Sequence, residues 1–114
     1  MAARIDESRA AGSGMESLQN LRTAALQQVL GCYLHQDWPD EFASVQDAIE
    51  MAVAENPDDA RAAVAELDDI LASDSTEAEF QTLMIHIGCY FAPESENTTY
   101  RLWLKSIRAR FSAA

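Results

Sequence analysis
The stretch Asn56-Pro57-Asp58-Asp59-Ala60-Arg61-Ala62-Ala63-Val64-Ala65-Glu66-Leu67-Asp68-Asp69-Ile70-Leu71 decides the fold. It opens with a helix start. Asn56 is a capping residue type, Pro57 suits the first helical position, and Asp58 and Asp59 meet the positive end of the helix dipole. Ala60, Val64, Leu67, Ile70 and Leu71 then fall on one face at the three-and-four spacing of an amphipathic helix.

The same period recurs on both sides. Upstream, Leu18, Leu21, Ala25, Leu26, Val29, Leu30, Tyr33 and Leu34 form a stripe that starts at Ser17. Gly31 either ends this helix or is bridged within it, and Pro39 follows shortly after. Ser44 is a cap for a second helix reaching Ala54, striped by Val45, Ala48, Ile49, Ala52 and Val53. Downstream, Thr76 and Glu79 have capping-box spacing, Phe80, Leu83, Met84 and Ile87 face inward, and Gly88 supplies the stop. A last helix runs from about Thr99 to Phe111 on Tyr100, Trp103, Leu104, Ile107 and Phe111, with Arg108 and Arg110 at its negative end. No segment alternates with period two over a useful length. The pattern predicts an all-α, single-domain bundle of about five helices with short loops. Residues 1–14 carry no hydrophobic period and include Gly12-Ser13-Gly14, so they read as a flexible leader (a vector remnant or an over-extended start) before a helical domain over 15–114.

Size and charge narrow the function classes. The 114 residues are one domain's worth, able to bury roughly 65% of their unfolded surface without staples. Nineteen acids against eight bases leave a net charge of -11, which argues against a phosphate-binding surface and hence against nucleic acid. No apolar run approaches the ~18 residues of a membrane span. The start Met-Ala-Ala-Arg-Ile-Asp-Glu is polar, unlike a signal peptide, so the expected location is the cytoplasm. Two cysteines, Cys32 and Cys89, are too few for a disulfide scaffold.

The charge is unevenly distributed. Residues 1–36 are net zero, residues 37–96 carry sixteen acids and one base, and residues 97–114 carry four bases and no acid. The middle segment is therefore at -15, enough for a potential of several kT that repels phosphates and draws cationic partners. Solubility alone is the plainer explanation of such a surplus.

Catalytic and cofactor readings find little support. A nucleophile needs a base and an orienting acid within hydrogen-bond reach. His35 lies in a loop, and His86 sits between Ile85 and Ile87, where a partly buried structural role is expected. Cys32 has an acidic setting that disfavours its thiolate. His35, Asp37, Cys89 and His86 show no metal-motif spacing, and there is no phosphate loop or dinucleotide fingerprint. The expectation is a protein with no enzymatic activity, metal or cofactor.

Two features exceed a plain bundle. Gly31-Cys32-Tyr33-Leu34 and Gly88-Cys89-Tyr90-Phe91 each follow an apolar helix. They read as two helix ends with the same chemistry: glycine for the left-handed turn, cysteine as a small hydrophobe, and an aromatic plug for the core. The loop from Tyr33 to Phe42 concentrates a histidine, an amide, three acids and three aromatics, Tyr33, Trp38 and Phe42. It fits either a buried polar corner, with Trp38 packed and Asp37 capping a turn, or an exposed interaction anchor.

Gly31-Cys32-Tyr33-Leu34-His35-Gln36-Asp37-Trp38 resembles the signature of a family of contact-dependent growth inhibition immunity proteins: a glycine pair, Tyr, an aromatic or aliphatic residue, then His-Gln-Asp-Trp. The second half is similar too, with Gly88-Cys89-Tyr90, a loop containing Pro93, and Tyr100-Arg101-Leu102-Trp103-Leu104 opening the last helix. Glu66-Leu67-Asp68 in the acidic middle suits the same style. The resemblance spans about Leu18 to Phe111, and Cys32 departs from it where a second glycine is expected. It implies a cytoplasmic protein that binds the C-terminal toxin domain delivered by sibling cells and blocks it stoichiometrically. Many such toxins are nucleases. A cationic nuclease groove would give the acidic middle segment a role, as a phosphate mimic whose charge speeds capture.

The expected toxin-binding side chains are Asp37, Asp40, Glu41, Asp58, Asp59, Asp68, Asp69, Glu94 and Glu96. Dipole compensation alone accounts for Asp58 and Asp59. Tyr33, His35, Gln36, Trp38, Gly88, Tyr90 and Trp103 are motif residues with an expected structural role, Tyr33 and Trp38 being buried and bracing the two Gly-Cys-Tyr corners. The competing reading is a small acidic helical adaptor that holds a partner helix in a groove lined by the Ala-rich third helix, Met51 and Met84. If Trp38 is fully buried, Trp38→Ala costs ~3 to 5 kcal/mol in chemical denaturation. An unchanged melting temperature with lost toxin binding would refute that structural assignment.

Overall fold
Four of the six described helices start where a side-chain oxygen reaches their free amides, and for two of them a carboxylate from another helix does so. A computed structural model describes residues 21–114. Helix α1 (Ala24–Leu26) continues without a break into a π turn (Gln27–Gly31). It is followed by α2 (Trp38–Glu41), α3 (Val45–Glu55), α4 (Pro57–Ala72), α5 (Glu77–His86), a 3-10 turn (Pro93–Glu96) and α6 (Tyr100–Ser112). Among the described residues there is no strand. The architecture is the all-α single domain that the periodicity predicts. The leader expected over 1–14 and the opening of the first helix at Ser17 lie outside the described residues.

Local caps account for three starts. Ser44 Oγ accepts the Asp47 amide at 3.1 Å ahead of α3. Thr76 and Glu79 form a reciprocal capping box on α5, at 2.8 and 3.2 Å. Thr99 Oγ1 accepts the Leu102 amide of α6 at 3.2 Å. Asn56 departs from expectation. Its side chain makes no cap bond to α4; its Nδ2 donates instead to the Ala52 carbonyl and the Tyr33 hydroxyl, so only its backbone serves as the helix boundary.

The other two devices act across the fold. Glu66 of α4 accepts the Ala25 and Leu26 amides at 3.1 and 2.9 Å. Residues 21–23 are not helical, and α1 begins where this carboxylate can reach it. Glu77 of α5 does the same for α6, taking the Tyr100 and Arg101 amides at 2.6 and 3.1 Å. A carboxylate there satisfies two orphan donors and meets the positive end of the dipole. Arg101 returns the favour at a C-terminus: its guanidinium donates to the carbonyls of Leu71, Ser73 and Ser75 at 3.1 to 3.3 Å and lies 4.9 Å over the Phe80 ring.

Helix α4 is the centre of the bundle. Its Ala60, Ala63, Leu67 and Ile70 are fully buried, and α1 and α6 both lie against it. The small side chains at positions 60 and 63 permit close approach. Arg108 of α6 clasps Asp68 of α4 at 2.9 and 3.3 Å, and Arg110 clasps Glu50 of α3 through two bonds of 2.6 Å. These arginines hold both carboxyls below their usual pKa. The basic C-terminal helix is thus joined to the chain's own acidic middle.

The ends of the π turn and of α5 meet at glycine. A Cβ on Gly31 would overlap the Ile87 carbonyl oxygen, a backbone atom. Gly88 has φ +92°, and a Cβ there would sit 3.4 Å from Gly31 Cα. The Tyr90 amide then donates to the Leu34 carbonyl at 2.7 Å. The paired tetrapeptides are therefore one joint seen from two sides. The fourth position of each fills the core, with Leu34 and Phe91 buried, while Cys32 is exposed and only Cys89 packs as a small hydrophobe.

Gly31→Ala is expected to cost ~3 kcal/mol, because a backbone oxygen must be displaced. Gly88→Ala is expected to cost less, about 1–2 kcal/mol, chiefly from the left-handed backbone. Urea unfolding of both variants checks this; losses under about 0.5 kcal/mol at both positions would refute the joint.

Candidate functional surface
The loop after the glycine joint is held by its own side chains. His35 Nδ1 accepts the Asp37 amide at 3.1 Å, which assigns the ring proton to Nε2, 3.2 Å from Glu41. The histidine therefore ties the start of α2 to its end. Asp37 occupies the cap position of α2, but its carboxylate makes no cap bond, contrary to the expected turn-capping role. Trp38 meets the Phe91 ring edge-on at 6.0 Å, and Phe91 packs on Trp103 at 4.8 Å, so an aromatic chain leads from the loop to α6.

Tyr33 anchors the other side. Its ring lies 6.3 Å from that of Phe42, and its hydroxyl donates to the Glu55 carboxylate and accepts from Asn56 Nδ2 at 2.9 Å. Asn56 Oδ1 in turn accepts from Gln28 Nε2 at 3.4 Å. Partial burial and the Glu55 carboxylate push the Tyr33 hydroxyl above its usual pKa. Tyr33 and Trp38 are half-buried rather than buried, and α2, which carries Trp38, has no buried residue. Gln36 is exposed, as is Tyr90. His86 is also exposed, not partly buried, because it faces away from the core on the last turn of α5. Trp103 is buried.

The nine acids expected at the surface divide by what they touch. Glu41 engages His35, Asp58 pairs with Arg61, and Asp68 is clasped by Arg108. Among the described residues, Asp37, Asp40, Asp59, Asp69, Glu94 and Glu96 have no side-chain partner, nor do Asp47 and Asp74. The Trp38–Phe91 contact brings α2, with Asp37 and Asp40, beside the segment leading to Glu94 and Glu96. The Tyr33–Glu55–Asn56 bonds bring the start of α4, with Asp58 and Asp59, to the other side of the same loop. Asp68 and Asp69 stand apart, ten residues and about 15 Å further along α4. Sequence reasoning missed the structural carboxylates Glu55, Glu66 and Glu77. Their partners lie 22 to 41 residues away, so no local spacing marks them.

Burial pushes the Cys89 thiol up to about 12, far from a reactive thiolate. Among the described residues no group of three or more His, Cys, Asp and Glu side chains could hold a metal ion, and no helix is long and apolar enough to cross a membrane. What the loop presents is a surface: fixed backbone, half-buried aromatics and unengaged carboxylates.

Half-burial lowers the expected cost of Trp38→Ala to about 2 kcal/mol, below the range for a fully buried ring. Tyr33→Phe is expected to cost about 1 kcal/mol at neutral pH. The raised Tyr33 pKa makes the wild-type contribution complete below the usual value near ~10 and lost as pH rises through the higher folded value. The stability gap between wild type and Tyr33→Phe should therefore narrow in alkaline denaturation series; a gap that widens with pH would refute the bond.

Residues 22–111 match a family described as CdiI immunity protein. No curated protein and no solved structure matches the chain.

Proposed function
The chain belongs to the CdiI immunity protein family, and from that premise we propose that it captures its cognate toxin one to one through the acidic surface around Tyr33–Phe42. The toxin domain in this reading is a nuclease with a cationic groove. The immunity protein acts in the cytoplasm of the toxin-producing cell, by occupancy and without catalysis.

The observation that carries this reading is the division of labour among the carboxylates. Glu50, Glu66, Glu77, Glu79 and Asp68 are engaged by helix ends or arginines of the protein itself. Asp37, Asp40, Glu94 and Glu96 are exposed and have no side-chain partner among the described residues, and the Trp38–Phe91 contact ties α2 to the segment that precedes the 3-10 turn. Unengaged carboxylates on a rigid surface have the charge of a phosphate run. Their field would steer a cationic domain into contact at up to ~10⁸ M⁻¹s⁻¹ or more at low salt. The adaptor reading is less well supported, since Met84 is fully buried and Met51 exposed, so the two do not line one groove.

The test is co-expression with the toxin fragment encoded directly upstream. A one-to-one complex and rescued growth are expected. The variant Asp37→Asn, Asp40→Asn, Glu94→Gln, Glu96→Gln should keep its melting temperature and lose at least about 10-fold in association rate at low salt. Its rate should also depend less on salt. The control Asp69→Asn, Asp74→Asn should associate as wild type does. An unaltered rate for the fourfold variant would refute the acidic surface; a toxin that kills regardless would refute the immunity reading.

A further inference from the structure
The three tyrosines have different fates. The Tyr33 hydroxyl is held by Glu55 and Asn56, and the Tyr100 hydroxyl lies 3.4 Å from the Phe91 carbonyl. Tyr90 is 47% exposed, and among the described residues its hydroxyl has no partner and its ring no aromatic neighbour. Its backbone is nevertheless fixed. The amide is bonded to the Leu34 carbonyl, and Cys89 and Phe91 on either side are buried. About half of the residue's surface at the glycine joint is therefore open to a partner.

The surroundings give this ring a preferred occupant. Leu34, whose carbonyl holds the Tyr90 amide, leads directly into α2 with Asp37 and Asp40, and the turn with Glu94 and Glu96 begins two residues after Phe91. An aromatic face attracts cations, and it does so best beside other negative charge. A Tyr on a rigid backbone also loses little entropy on binding, which is the usual character of an interface hot spot. The contrast is Leu102, 57% exposed but flanked by Arg101 and Lys105, where a cationic partner is repelled.

We propose that Tyr90 is the anchor of the toxin interface, stacking on an Arg or Lys of a cationic toxin segment whose remaining charges face Asp37, Asp40, Glu94 and Glu96. The proposal rests on the immunity reading above and separates two tasks: the acids set the rate of arrival, and the ring sets the rate of departure.

Binding kinetics with the purified toxin domain encoded upstream test it. Tyr90→Ala should raise the dissociation rate about 30-fold or more, leave the association rate within about twofold, and leave the melting temperature unchanged. Tyr90→Phe should dissociate within about threefold of wild type, since the ring and not the hydroxyl does the stacking. Leu102→Ala should match wild type. If wild type binds and Tyr90→Ala dissociates no faster, the anchor is overturned while the immunity reading stands. A melting temperature lowered by several degrees in Tyr90→Ala would also overturn it, by making the ring structural. If wild type itself does not bind, the immunity reading falls and the anchor with it.

Discussion

The contact between Gly31 and Gly88 is the constraint on which the rest depends. Two helix ends approach so closely that a side chain on Gly31 would occupy the place of the Ile87 carbonyl. The closeness lets the Tyr90 amide reach the Leu34 carbonyl, which joins the loop after α1 to the loop after α5. From that joint Leu34 and Phe91 enter the core, and Phe91 carries Trp38 on one side and Trp103 on the other. A one-methyl change at the joint would disturb the core, α2 and the proposed contact surface together. Tight packing transmits such a strain because the interior has few voids to absorb it.

The acidic surplus serves two purposes that composition alone does not separate. Part of it is architectural. Glu66 and Glu77 define where α1 and α6 begin, and Glu50 and Asp68 receive the arginines of α6. Exposed ion pairs of this kind add little stability individually, but they fix the register of α6 on its neighbours. The remainder stays on the surface around the motif loop. Net charge is therefore a poor guide to the field a partner meets; the carboxylates left over after internal use are the better guide.

The motif residues follow from the same geometry. His35 is a staple between the Asp37 amide and Glu41, Tyr33 a link to the α3–α4 junction, and Arg101 a C-terminal cap for α4. Such duties explain why these residue types occur together without invoking a ligand. Gln36 and Tyr90 are both exposed and make no side-chain hydrogen bond among the described residues, and of the two only Tyr90 offers an aromatic face, which is the reason for its assignment to the interface.

The helix content, the capping box at Thr76 and Glu79, the caps at Ser44 and Thr99, and the inward faces of α3 to α6 were legible in the sequence, because each depends on residues within one or two turns. The motif also pointed to the family from sequence. What the tertiary structure decided is of longer range. Asn56 turned from its expected cap to Tyr33, α1 began at a carboxylate forty residues away, and α2 was tied to the segment before the 3-10 turn through one aromatic contact. Local spacing encodes hydrogen bonds that close within a helix turn. It carries no information on which distant carboxylate will be near a free amide, and that depends on how the helices pack.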